Sequence, residues 1–453
     1  MFIYVRLAGM PKGSGKRTRR RGRKPKPKLK RQDIRGSKHV KLIIDLLKPL
    51  RAHRDCPNRR LHYDELVAYL LLYFFTPALD SMRGIQQMSN LEAVKKKLGL
   101  RRFSLGSFSE ASHVFDPSLL EPIIEELTCR LEDVGADERL RALEVAPMLV
   151  DGTLLHALPR MAWALWLRHS EHAAKMHLEY DLLKSAPVHA TLTHGNGDER
   201  RELRKSLRAG IPPKEPEEAP ERRAKARRRG AKLYVLDRGF ADYGLMSEIL
   251  TTGNSFLVRI NQNAVYEVLE QLEIAPEAAK AGVVRDEIVR LGCEASPQLH
   301  DRRIRVVQVH VEDESARLGL PRQYRRKRVS SDKTHRSDKS EYTLLLATDQ
   351  LELDALLVCQ LYRYRWQIEL FFRWFKKVLE ADYVLCESEN GMTILMYCAL
   401  IASILVRLWT GRKPTKRTFE MLSFFFSGWA SERELIAHID SLKEADGEAK
   451  GNN

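Results

Sequence analysis

Tyr362-Arg363-Tyr364-Arg365-Trp366-Gln367-Ile368-Glu369-Leu370-Phe371-Phe372-Arg373-Trp374-Phe375-Lys376 carries the strongest signal in the chain. Apolar and aromatic residues fill most of the helical circumference of this stretch, Ile368, Leu370, Phe371 and Phe375 among them. A helix apolar nearly all round belongs in a core. At about 100° per residue, Tyr362, Arg365, Glu369 and Lys376 share an arc of about 60°. A narrow charged stripe therefore runs along a helix that is otherwise built for burial. One account of the stripe is an internal Arg365–Glu369 ladder at i,i+4, which contributes a few tenths of a kcal/mol when exposed and can be net unfavourable when buried. The other is a site for metal and phosphate. It uses all four groups, with the carboxylate on a divalent ion and Arg, Lys and Tyr on phosphate oxygens.

Upstream, two apolar runs each end on an acid. Met148-Leu149-Val150 leads into Asp151-Gly152-Thr153, and Tyr234-Val235-Leu236 leads into Asp237-Arg238-Gly239-Phe240. Both read as buried strands with an aspartate at or near the exposed end, where a lone Asp is commonly a cap or turn residue and two on one sheet suggest a site. Around them the pattern predicts three strands in succession (146–150, 175–183, 188–193), then a strand (232–236), a helix from Asp242 and a strand (255–260), giving a mixed sheet. The expected division is a basic arm (1–36), a helical N-terminal DNA-binding domain (37–140), the first part of the core (141–260), a β-rich insertion (261–341), the second part of the core with the Glu369 helix (342–380, the helix itself spanning about 353–379), C-terminal helices (381–445) and a disordered tail (446–453). Within the N-terminal domain, a helix over 81–98, punctuation at Gly99 and Gly106, and the capping-box spacing Ser107-x-x-Glu110 fit a helix-turn-helix or an ordinary helical hairpin equally well.

The formal charge is +17, and residues 12–35 hold thirteen Lys and Arg against the single acid Asp33. Such a Pro-containing cationic run cannot order itself and reads as a disordered polyanion-binding arm, with simple solubility as its plainer role. Cys56, Cys129, Cys293, Cys359, Cys386 and Cys398 are scattered, with no zinc-finger spacing, so they are expected to be reduced and mostly in the core. The apolar stretch 392–406 falls short of the roughly 20 residues needed to cross a bilayer and reads as a buried helix. No secretory signal is expected, and the protein is placed in the cytoplasm, associated with the nucleoid.

At the level of motifs the chain resembles the DDE transposases of bacterial insertion sequences, specifically insertion sequence family 4 with its Tyr-x2-Arg-x3-Glu-x6-Lys signature. Tyr362, Arg365, Glu369 and Lys376 meet that signature residue for residue. Asp151-Gly152-Thr153 and Asp237-Arg238-Gly239-Phe240 resemble the family's two aspartate motifs, and Lys175-Met176-His177 resembles the strand after the first. The resemblance implies an α/β fold with a ribonuclease-H-like core interrupted by a β-rich insertion. It further implies that Asp151, Asp237 and Glu369 are the catalytic triad holding two Mg²⁺ or Mn²⁺ ions, that Tyr362, Arg365 and Lys376 bind DNA, and that transposon ends and target DNA are the partners of a dimeric synaptic complex. Some relatives hold a flipped base on an aromatic residue of the insertion, yet residues 261–341 contain no Trp or Phe, only Tyr266 and Tyr324 with Tyr342 just beyond, which counts against a hairpin route. Two alternatives remain beside transposition: a metal-dependent DNA nuclease on the same core, and a non-catalytic DNA-binding protein derived from a transposase.

Overall fold

A computed structural model describes residues 44–451, apart from 54–57, 77–78, 134–137, 159–160, 165–171, 210–230, 295, 312–341, 378–384 and 413–414. The basic arm and all of 312–341 lie outside the described residues.

The N-terminal helices are α1 (Tyr63–Phe75), α2 (Met82–Ser89), α3 (Glu92–Leu98), α4 (Leu105–Val114) and α5 (Glu121–Cys129). Every residue of α1 except Asp64 is buried, as its unbroken apolar sequence requires. The single helix expected over 81–98 is two helices. Asn90 bonds back to the Gln86 carbonyl through its amide, a local alternative to helix continuation, and Leu91 is extended. Gly99 ends α3 at φ +69°, where a Cβ would be strained. The cap of α4 is Ser104, whose hydroxyl accepts the Ser107 N–H at 3.1 Å, so the helix starts a turn before the predicted Ser107.

Among the described residues nine strands form one sheet, in the order β3-β2-β1-β4-β5-β9-β8-β7-β6. The first three are β1 (Ala146–His156), β2 (Ala173–Asp181) and β3 (Ala186–His194), an antiparallel meander. After α6 (Glu199–Ala209) comes β4 (Lys232–Leu236), parallel to β1. Then α7 (Tyr243–Thr251) leads to β5 (Ser255–Ile260), parallel to β4. Strands β6 (Tyr266–Gln271), β7 (Val283–Leu291) and β8 (Arg303–Val311) fall within 261–341, and β9 (Tyr342–Thr348) joins them to β5, so they continue the same sheet. Strand β1 does not end near Asp151. It runs on to His156 against β2, so Asp151 sits in mid-strand opposite Leu178.

Alternation assigns the sheet's two faces. Met148, Val150, Tyr234, Leu236, Phe256 and Val258 pack with Leu203, Leu245 and Ile249 of α6 and α7. Leu149, Val235 and Leu257 pack on the other face with Leu361, Ile368 and Phe375. Asp151, two residues beyond Leu149, therefore points to the second face. That face is covered by α8 (Ala355–Tyr364) and α9 (Trp366–Lys377), a pair where one helix was expected. The break is a tight turn at Arg365, whose N–H bonds the Tyr362 carbonyl at 3.1 Å while its own carbonyl accepts from Ile368. These i,i+3 bonds within a longer helical run are the sort of tightening found at functional or strained positions.

Behind them, α10 (Glu389–Thr410) is long and apolar enough to cross a membrane, but 89% of its most apolar window is buried inside the protein. It packs on α1, α4, α5 and β3, and Tyr397 donates both to Glu121 and to the Ala190 carbonyl. Then come α11 (Lys416–Phe426) and α12 (Glu432–Gly451). The tail expected to be disordered from 446 is helical to Gly451, since the Glu, Ala and Lys of its sequence are good helix formers. Among the described cysteines Cys386 and Cys398 are buried, whereas Cys129 and Cys293 are exposed and correct the expectation that most lie in the core.

Candidate active site

The parallel register pairs Leu149 with Val235, so two residues further along it Asp151 comes level with Asp237, just past the end of β4. The α8–α9 turn lies over this pair. Tyr362 donates to Asp237 Oδ1 at 3.0 Å. Arg365 reaches Glu369 Oε1 at 2.9 Å and Asp151 Oδ2 at 3.5 Å, and its guanidinium lies 5.9 Å from the centre of the Tyr362 ring. Lys376 donates to Thr153 Oγ1 at 2.9 Å, two turns further along α9. The four stripe residues thus face β1 and β4 together, and they bring Asp151, Asp237 and Glu369 to one place. Among the described residues, however, no three His, Cys, Asp or Glu side chains are gathered tightly enough to hold a single ion, and the Arg365 guanidinium stands between Asp151 and Glu369.

The electrostatics are unequal. Burial raises Asp151 to about 7, which neither Arg365 nor the Gly152 N–H offsets and to which Glu199 and Glu369 add. Burial also raises Glu369, against the pull of Arg365. For Asp237 burial acts upward too, but Arg365, the Arg238 N–H and the Tyr362 hydroxyl outweigh it and hold the carboxyl below its ordinary value. Arg259 adds to Arg365 at Asp237 and Arg373 adds to it at Glu369, which leaves Asp151 the acid whose ionised form is least compensated. Hard oxygen donors, one of them incompletely compensated, fit a divalent cation such as Mg²⁺, which needs only one or two carboxylates alongside water and phosphate oxygens.

A carboxylate that sequence reasoning missed stands beside this group. Glu199, at the start of α6, pairs with Lys175 at 2.6 Å, and a Cβ on Gly152 would come within 2.6 Å of its Oε1. Gly152 therefore lets the Lys175–Glu199 pair lie across β1 next to Asp151. Nothing in the spacing of Glu199 marks it, because it is brought in by the fold of the meander. His177 of the Lys175-Met176-His177 stretch lies opposite Gly152, with Nε2 2.8 Å from Thr193 Oγ1, and burial lowers it to about 4, which keeps it neutral. Trp366 is half-buried at the start of α9.

Residues 147–405 match the family described as Transposase DDE domain, and the chain belongs to that family. Its relatives include a chain of Sinorhizobium fredii named as the transposase y4zB, 27% identical over 39% of this chain and 42% of that one. A transposase for insertion sequence element IS4SA of Synechocystis is 21% identical over 81% of this chain and 93% of its own length. A third, named for insertion sequence element IS5377 of Geobacillus stearothermophilus, is 27% identical over 42% of this chain and half of that protein. The chain is thus similar to transposases named for insertion sequence elements, IS4SA among them, and it spans half or less of the length of two of these three relatives. Among solved structures, a piggyBac transposase synaptic complex with hairpin DNA aligns over 89% of this chain and 82% of that one at 11% identity, with a TM-score of 0.37.

Proposed function

We propose that the protein binds insertion-sequence ends and catalyses DNA cleavage and strand transfer by two-metal-ion phosphoryl transfer, with Asp151, Asp237 and Glu369 holding two Mg²⁺ or Mn²⁺ ions. The observation that carries this reading is the arrival of Tyr362, Arg365, Glu369 and Lys376 on the strand face that presents Asp151, with Asp237 level with it. The order β3-β2-β1-β4-β5, with the first three strands antiparallel and the next two parallel to β1, supports a ribonuclease-H-like core. On that reading β6–β8 are the β-rich insertion, the helices before β1 form the DNA-binding domain, and the active form is a dimer on paired ends.

When bound, the ions would activate the attacking water or 3′-hydroxyl and stabilise the leaving oxygen. The chain's own groups prepare the place. Tyr362 and the Arg238 N–H keep Asp237 ionised and oriented, the 3.5 Å contact from Arg365 leaves Asp151 incompletely paired, and the long cationic side chains of Arg365 and Lys376 can turn to phosphates flanking the scissile bond.

The test is cleavage and joining of terminal-repeat DNA by wild type and by Asp151→Asn, Asp237→Asn and Glu369→Gln. The amides keep shape and lose metal-binding charge, so cleavage should vanish while binding persists. Wild-type cleavage that survives EDTA sinks the metal reading. Cleavage with no joined product makes the protein a nuclease on the same core.

A further inference from the structure

We infer that the N-terminal helices carry a second, separate phosphate-binding site, formed by Arg59, Arg60, Arg101 and Arg102, which grips the DNA backbone. Two chain segments meet there. Asn58–Arg60 leads into α1, and Arg101–Arg102 follows the left-handed Gly99 that ends α3, just before the Ser104 cap of α4. Together they line an open cavity of about 450 Å³ with Asn58 and four guanidiniums. None of these residues belongs to the carboxylate site.

This is a built arrangement rather than a solvated charge run, because the arginines come from different parts of the sequence and two of them are fixed. Arg101 donates to Glu65 Oε1 at 2.9 Å, and Glu65 is only 1% exposed, held by the His62 N–H at the start of α1. The Arg59 guanidinium lies 5.1 Å from the centre of the Phe115 ring, and its buried Nε has no hydrogen-bond partner among the described residues. Glu65 must also serve Arg51, 3.8 Å away, and Arg60 and Arg102 have no carboxylate paired with them among the described residues. Four guanidiniums lining one cavity, of which Arg101 alone meets an acid among the described residues, call for an anion. Planar guanidinium forks match phosphate oxygens in pairs. The site opens beside the α3–α4 turn, so a duplex laid along these helices would present its backbone there, and phosphate contacts of that kind fix register rather than read sequence.

The choice of DNA as the phosphate source rests on the DNA-acting reading above. Binding is therefore measured with full-length protein in EDTA, so that the carboxylate site is not read and either proposal can fail alone. Fluorescence anisotropy of a labelled duplex across a salt series compares wild type, Arg60→Gln/Arg102→Gln, and the charge-matched control Arg417→Gln/Arg433→Gln on α11 and α12, with melting curves checking that each is folded. Each phosphate contact contributes about 0.9 to the slope of log affinity against log salt, so the first variant should be shallower by about two and bind roughly tenfold or more weakly at low salt. The control should match wild type, and Arg60→Lys/Arg102→Lys should restore most of the slope. Equal slopes in wild type and the Gln variant, or an equal loss in the control, overturn the site. A melting shift from inorganic phosphate that the Gln variant loses, with its DNA slope unchanged, makes this a free-phosphate site and overturns the DNA assignment.

Discussion

Two arginines of this protein, Arg305 buried and Arg365 partly so, teach opposite lessons. Arg305, on β8, meets Asp286 on β7 with two parallel bonds of 2.8 and 2.6 Å and gives its Nη1 donors to the Leu351 and Leu353 carbonyls. Both partners are almost wholly buried, and each charge is matched. Arg365 is divided instead between two acids, at 2.9 and 3.5 Å, with a third carboxylate close by and Asp151 left near 7. Good geometry and complete pairing mark an ion pair that holds a sheet together. Incomplete pairing of desolvated acids marks a place kept for another cation.

The largest break in that comparison should be catalytic. Asp151→Asn, Asp237→Asn and Glu369→Gln should each lower cleavage by roughly a thousandfold or more, whereas Arg305→Ala should leave the rate per folded molecule unchanged, as active-site titration would show. Arg305→Ala should appear in stability, lowering it by about 3–5 kcal/mol in chemical denaturation because Asp286 is left buried and unpaired.

A smaller effect runs the other way. The folded value of Asp151 lies above its ordinary 3.8, so the stability this residue contributes is present at low pH and is lost as pH rises through about 7. In the absence of divalent ions Asp151→Asn should therefore stabilise the protein at pH 8, by about 1–4 kcal/mol, with the gain fading between pH 7 and 4. Mg²⁺ should raise the wild-type melting temperature more at pH 8 than at pH 6 and raise that of Asp151→Asn little. A gain for the amide that does not depend on pH would assign the surplus charge elsewhere. The smallest expected change is in salt dependence. In a chain lacking residues 1–36, Arg365→Gln and Lys376→Gln should each flatten the log–log slope by about one contact. If both leave slope and cleavage untouched, the stripe is a structural ladder like Arg305–Asp286.

Much of this contrast was legible in the sequence, and the rest was hidden for identifiable reasons. Short apolar runs such as Leu233–Leu236 gave strands that the sheet contains, and the charged arc on an apolar helix picked out Tyr362, Arg365, Glu369 and Lys376 as a group. The continuation of β1 past Asp151 was not legible, because Gly152-Thr153 imitates a turn and only pairing with β2 keeps the strand going. The break at Arg365 depends on where its guanidinium goes, which no propensity records. Glu199 became visible only once the Gly197–Asp198 turn and α6 had carried it over Gly152. The Arg101–Glu65 contact likewise joins residues 36 positions apart, and nothing in the sequence around Glu65 marks it as a partner for Arg101.

The central helix α10 sets a timetable for the protein's birth. Its Tyr397 grips Glu121, 276 positions earlier, and its apolar surface fills the space between α1, α4, α5 and β3. At roughly 5–20 residues per second, a ribosome leaves the first helices waiting about 15–55 seconds for the segment that completes their core. Until then the apolar faces of α1 and α4 have no mate. A chain cut short before residue 389 should be an aggregation-prone fragment and not a smaller DNA-binding protein, and the finished core comes only after Glu369 has left the ribosome.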